Sequence, residues 1–178
     1  MAKIKISFSI VLVFLVCISA FSQSDLRDKL QQSYTSQIGI REASGQNDGF
    51  DVEKYLASTG LGKGYAWCAA FVNWNFKQIG VQTVKSPAWS PSWFPEDKII
   101  YQPSTHTLNA FPQSGDVFGI YFNSKGRIAH VGFVDQWPGG QFAITVEGNT
   151  NDAGSREGDG VYRKKRIKRQ IHSVSSFI

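Results

Sequence analysis

Residues 116–134 read DVFGIYFNSKGRIAHVGFV, and this stretch decides the fold. Two runs rich in β-branched and aromatic residues, 116–122 and 127–134, flank the turn-forming Asn123-Ser124-Lys125-Gly126. A pattern of period two broken by such a turn predicts an antiparallel hairpin. Downstream, Pro138-Gly139-Gly140 marks a second turn, and 141–146 form a third strand reaching toward Asn149. After a polar, glycine-rich loop over 151–160, residues 161–167 make a fourth strand, and the tail to Ile178 can add a fifth.

Upstream the period is helical. Leu26, Leu30, Tyr34 and Ile38 lie four apart, which predicts a helix over 25–37 with Ser24 or Asp25 as its cap and Gly39 at its end. Val52, Tyr55 and Leu56 mark a short second helix closing near Gly60. In the third, Val72, Phe76 and Ile79 recur behind Cys68, with Phe71 beside them, until Gly80. Between the first two helices, 42–51 is a loop. Its Asn47-Asp48-Gly49 and Asp51 lack the ligand spacing and closing glutamate of an EF-hand, and read as a turn. Residues 86–112 carry Pro87, Pro91, Pro95, Pro103 and Pro112, which preclude a long regular element. Trp89, Trp93, Phe94 and Tyr101 among them are either the wall of a cleft or the loop's own anchor in the core. Helices first and an antiparallel meander afterwards make an α+β domain, with N-terminal helices packed on a C-terminal antiparallel β-sheet. No internal repeat or domain linker is visible.

The chain's 178 residues and 42% hydrophobic content suffice for one domain with a real core. Lys3 and Lys5, the apolar run 6–18 and Ala20-Phe21-Ser22 read as a signal peptide over 1–22, cleaved before Gln23. Lipidation at Cys17 is the alternative, although Val16 is bulky for that position. The mature domain, 23–178, is then exported to periplasm or medium, with no stable membrane insertion and as a monomer. Loss of Lys3 and Lys5 lowers the formal charge from +5 to +3 (5 − 2), too little to argue for nucleic acid. Cleavage also removes Cys17 and leaves Cys68 alone, a liability in an oxidising compartment unless it is buried or used.

Cys68 falls in the first turn of its helix, where the partial positive charge of the helix end favours the thiolate. A free cysteine can equally be a core filler. His130 stands mid-strand among apolar neighbours, either as a satisfied core histidine or as a working one. Alternation puts Glu147 and Asn149 on one face of the following strand. If that strand pairs with the one carrying His130, a carboxylate and an amide lie on the next rung from the imidazole. Nucleophilic cysteine catalysis needs this set: a thiolate, a base, and a group that orients the base. His106 and His172 fall outside it.

Three segments, Tyr65-Ala66-Trp67-Cys68-Ala69-Ala70-Phe71-Val72, Ile128-Ala129-His130-Val131-Gly132 and Val146-Glu147-Gly148-Asn149, resemble the CHAP family of cysteine, histidine-dependent amidohydrolases and peptidases. The resemblance runs from about Gly39 through Arg166 and includes Gly158-Asp159-Gly160-Val161-Tyr162. It implies a papain-like fold and an exported enzyme that cleaves amide bonds of bacterial peptidoglycan, at the glycan–peptide junction or within the peptides. Cys68 would be the nucleophile, His130 the base and then the acid, Glu147 the orienting group, and Asn149 a second support near the histidine. The Cys68 backbone N–H and a side-chain donor, Tyr65 or Gln46, would form the oxyanion hole. No cofactor and no metal is implied.

Two readings compete. One is a non-catalytic envelope-binding protein on the same fold. The other is a nucleic-acid or anionic-polymer binder using the basic run 163–169, whose simpler explanation is an exposed strand with solvated charges. Zinc is poorly served by one cysteine and three scattered histidines.

Overall fold

The computed structural model describes residues 23–152 and 158–178. The expected signal peptide, with Cys17, lies outside the described residues. Three helices form one layer: α1 over residues 23–35, α2 at Phe50–Ala57 and α3 at Cys68–Gln78. Because α1 is already helical at residue 23, Ser24 and Asp25 sit inside its first turn and do not cap it.

The second layer is one seven-stranded sheet. Its strands are β1 (Ile99–Gln102), β2 (Thr107–Leu108), β3 (Val117–Phe122), β4 (Arg127–Gln136), β5 (Phe142–Thr150), β6 (Gly160–Ile167) and β7 (Ser173–Ser175). Their order is β2-β1-β7-β3-β4-β5-β6, and every pairing is antiparallel. The meander holds from β3 to β6. The tail does not extend it: β7 returns to the far side of β3, and β1, from the proline-rich segment, pairs with β7. Pro91 and Pro103 fall in short 3-10 turns and Pro95 precedes a third, which leaves Ile99–Gln102 free to pair. The fold is α+β, with N-terminal helices on an antiparallel sheet.

Alternation gives the sheet two buried faces. Val117, Phe133, Val146 and Val161 pack under the helices against Leu30, Tyr34, Tyr55, Phe71 and Phe76. Phe118, Val134 and Ala143 face away and pack with Ile171 and Val174. Phe133 is the main joint between the layers. Its ring stacks on Tyr34 at 4.7 Å and meets Phe71 at 6.0 Å and Phe76 at 5.6 Å. The aromatics of the proline-rich loop divide the two roles open to them. Trp93 is fully buried and stacks on Phe76, whereas Trp89 is half exposed beneath the Arg127 guanidinium.

The start of α3 reaches β5 only because residue 148 has no side chain. A Cβ there would stand 2.7 Å from both Phe71 and Trp67. Gly148→Ala is therefore expected to cost about 1–3 kcal/mol through overpacking. Denaturant unfolding should show this as a lower midpoint at unchanged slope.

Candidate active site

Cys68 is the first residue of α3, and Trp67 precedes it without a side-chain cap. The early N–H groups of the helix have no intrahelical acceptor, so they favour negative charge at this position. Trp67 is held by its own hydrogen bond, donated by the indole to Glu42 Oε1 at 2.8 Å. The sulfur is nearly buried, and the Ser90 hydroxyl lies 3.8 Å from it.

On β4 the alternation breaks beside His130. Ile120 pairs with His130 and Tyr121 with Ile128, so Ala129 is an extra residue, a bulge. Bulges bend a strand and re-aim its side chains. Ile128 and Val131, three apart, consequently both join the core under the helices. His130 faces the Glu147 carboxylate, with Nε2 at 2.8 Å from Oε2. Gly132 makes room for this contact, since a Cβ there would lie 3.0 Å from Glu147 Cγ and 2.9 Å from the Val146 carbonyl. With Nε2 engaged by the carboxylate, the imidazole also interacts with the Cys68 thiol.

Glu147 is fully buried and saturated with donors. Thr145 donates to Oε1 at 2.6 Å and Arg166 Nε to Oε1 at 2.7 Å, while Arg166 Nη2 donates to Oε2. A carboxylate in a fork of this kind stays ionised in an apolar interior.

Electrostatics follow the contacts. Burial pushes the Cys68 thiol up, but the His130 imidazole, the Val131 backbone N–H and the Ser90 hydroxyl outweigh it and hold the thiol below its ordinary value. Burial pulls His130 down, while Cys68 and Glu147 push it up further, to about 9. Burial would raise Glu147, but Arg166 and His130 hold it well below the usual carboxylate range. All three directions favour a thiolate–imidazolium pair with an anion behind the ring. Such a pair can attack a carbonyl and protonate a leaving amine.

The structure thus brings Cys68, His130 and Glu147 together. Asn149 is turned elsewhere. Glu147 pairs with Tyr162 and Thr150 with Gly160, so β5 has an extra residue at this point. Asn149 adopts φ +53° in this bulge. Its amide donates to Asn47 Oδ1 at 2.9 Å and more weakly to Glu42 Oε1 and the Gly158 carbonyl. With Trp67, Glu42 and Asn47 it ties the 42–51 loop to the start of α3. Tyr65 and Gln46 are both exposed. His106 is exposed in a left-handed turn, and His172 stacks on Tyr121. His106→Ala is expected to leave turnover within about 3-fold, read from initial rates, because that ring lies outside the cluster. Among the described residues no group of three or more His, Cys, Asp or Glu is arranged to hold a metal.

Ser90, Thr145, Arg166 and Glu42 complete the surroundings, and sequence reading missed all four. For Arg166 a signal existed. On β6, Tyr162, Lys164 and Arg166 alternate, and they pair with Glu147, Thr145 and Ala143 on β5. The basic run is therefore not a uniformly solvated face. Arg163 pairs with buried Asp135 at 3.1 Å, and Lys165 lies over the Phe142 ring.

A family model for the CHAP domain matches residues 60–149, just over half of the chain and including Cys68, His130 and Glu147. The chain belongs to the CHAP domain family. Members of this family are cysteine- and histidine-dependent amidohydrolases and peptidases that act on peptidoglycan. Arg166 lies beyond the matched segment. Comparison with curated proteins gave no match. Among solved structures, the Resuscitation Promoting Factor Interacting protein RipA, mutated at a histidine, aligns at 18% identity and a TM-score of 0.48. The alignment covers 87% of this chain and 63% of the other, so the chain spans less than two thirds of that structure.

Proposed function

We propose that this CHAP protein is an exported cysteine hydrolase that cleaves amide bonds of peptidoglycan through Cys68, His130 and Glu147. The observation that carries this reading is the fully buried Glu147 carboxylate 2.8 Å from His130 Nε2, on the imidazole coupled to Cys68. In the first half-reaction the Cys68 thiolate attacks the amide carbon, and the carbonyl electrons move to oxygen. On collapse the C–N bond breaks, His130 gives its proton to the departing amine, and a thioester remains. Water, deprotonated by neutral His130, then attacks the thioester carbon; the C–S bond breaks, the acyl group leaves as the carboxylic acid, and the Cys68 thiolate and His130 imidazolium are restored. The Cys68 backbone N–H is suited to hold the oxyanion. Glu147 keeps the ring oriented and balances its positive charge.

The pH dependence follows from the two shifted groups. The acid limb of kcat/KM reports the Cys68 thiol, below its ordinary value, and the alkaline limb reports His130, near pH 9. The same raised value gives the sign for stability. His130's contribution is fully present below its ordinary pKa and is lost as pH rises through about 9.

Mass spectrometry of muropeptides after digestion with the purified protein tests the reading and identifies the bond. New amine and carboxyl termini, absent with heat-inactivated protein, are the expected result; intact muropeptides would overturn it. Labelling by a cysteine-directed electrophile at neutral pH separates an enzyme from a binding protein on the same fold. Export is tested by N-terminal sequencing of protein recovered from outside the cytoplasm, with Gln23 expected first.

A further inference from the structure

Beside His130 opens a cleft of about 560 Å³. It is lined by His130, Asn149, Lys164, Arg166, Arg169 and His172 among others, and not by Cys68 or Ser90. No acidic side chain lines it among the described residues. Arg166 is already committed to Glu147. Lys164 donates to the Asn151 carbonyl and keeps its charge partly sheltered inside the cleft. Arg169, on the 3-10 turn Lys168–Gln170, is exposed and has no hydrogen bond or ion pair from its side chain among the described residues. A concavity with this lining concentrates positive potential on whatever enters it.

Position says which part of a substrate that is. The cleft touches His130 but not Cys68, and His130 passes its proton to the leaving amine, so substrate that reaches past His130 into the cleft is the amine-side fragment. An unpartnered guanidinium with a lysine in the same cleft suits a carboxylate, which arginine binds through two parallel hydrogen bonds. We propose that this cleft is the leaving-group subsite, and that Arg169 with Lys164 selects amine-side fragments bearing a free carboxylate. The proposal rests on the hydrolase reading above and deepens it. The carboxylate can be a side-chain group or a chain terminus.

The test compares muropeptides with free carboxylates against the same muropeptides amidated at side chains only, at termini only, or at both. Wild type, Arg169→Ala and Arg169→Lys are assayed on each. For wild type, amidation at the recognised carboxylate is expected to raise KM about 10-fold with a smaller change in kcat. Whichever single amidation produces this identifies the source. Arg169→Ala should raise KM similarly on the free substrate and add little on the fully amidated one, with Arg169→Lys between. Equal losses on free and amidated substrates would mean a merely structural arginine, and no preference in wild type would mean no carboxylate subsite; either result overturns the proposal. If no substrate is cut, the hydrolase reading fails separately. Calorimetric titration of wild type with intact muropeptides then decides the subsite: tighter binding of the free form that Arg169→Ala removes supports it, and equal binding overturns it.

Discussion

Replacement of Cys68 by Ala is expected to lower kcat/KM on peptidoglycan by at least ~10³-fold, because no other group can form the acyl intermediate. Packing accounts for about 1 kcal/mol of lost stability, since the side chain removed is small. Loss of the sulfur's interactions with His130, the Val131 backbone N–H and the Ser90 hydroxyl adds to that. Cys68→Ser is the sharper variant. It keeps volume and leaves a hydroxyl that His130 cannot ionise at neutral pH, so it too should be inactive. A Cys68→Ala protein that still releases new termini from purified peptidoglycan, with no contaminating hydrolase, would end the enzymatic reading. Circular dichroism melts of each variant provide the folding control.

The second large effect is at Glu147, where the tertiary contacts change what substitution should do. Considered with His130 alone, Glu147→Gln removes a charge and preserves a shape. In the structure Glu147 also holds Arg166 through two hydrogen bonds, in a position where the arginine side chain is 21% exposed. Gln would leave that cation without its partner. A stability loss of about 2–4 kcal/mol is expected, the range in which breaking a buried ion pair from one side falls. Activity should drop about 10²-fold or more as His130 loses its orienting anion. The alkaline limb should also move below pH 9, since without the carboxylate the imidazolium gives up its proton more easily. Glu147→Gln combined with Arg166→Met separates the effects. The double variant should regain much of the stability and little of the rate. Were it to regain rate as well, the role of Glu147 would be to neutralise Arg166 and not to serve His130. Asn149→Ala should show a different pattern. It loosens the loop through Asn47 and Glu42, raising KM more than it lowers kcat, without moving the alkaline limb.

The sequence by itself determined the three helices and the meander that follows them, but not β1 and β2 in the proline-rich segment. Spacing of 3.6 marked α1 to α3, spacing of two marked β3 to β6, and the turn residues around Gly126 set the central hairpin. Those signals are local, so one chain displays them. It also marked Cys68 at a helix start and His130 and Glu147 on neighbouring strands, because adjacent strands of a meander pair in sequence order. What required the tertiary structure was non-local or broke the local period. The placement of β7 between β3 and β1 depends on which unpaired edge a short strand meets, and three residues carry no address for that edge. The bulges at Ala129 and near Asn149 shift alternation by one residue. The first aims His130, and the second turns Asn149 toward Asn47. Arg166 looked like one charge in a solvated run until β6 was laid against β5. Only then does a guanidinium meet a buried carboxylate, because a strand's face is defined by its neighbour's register and not by its own composition.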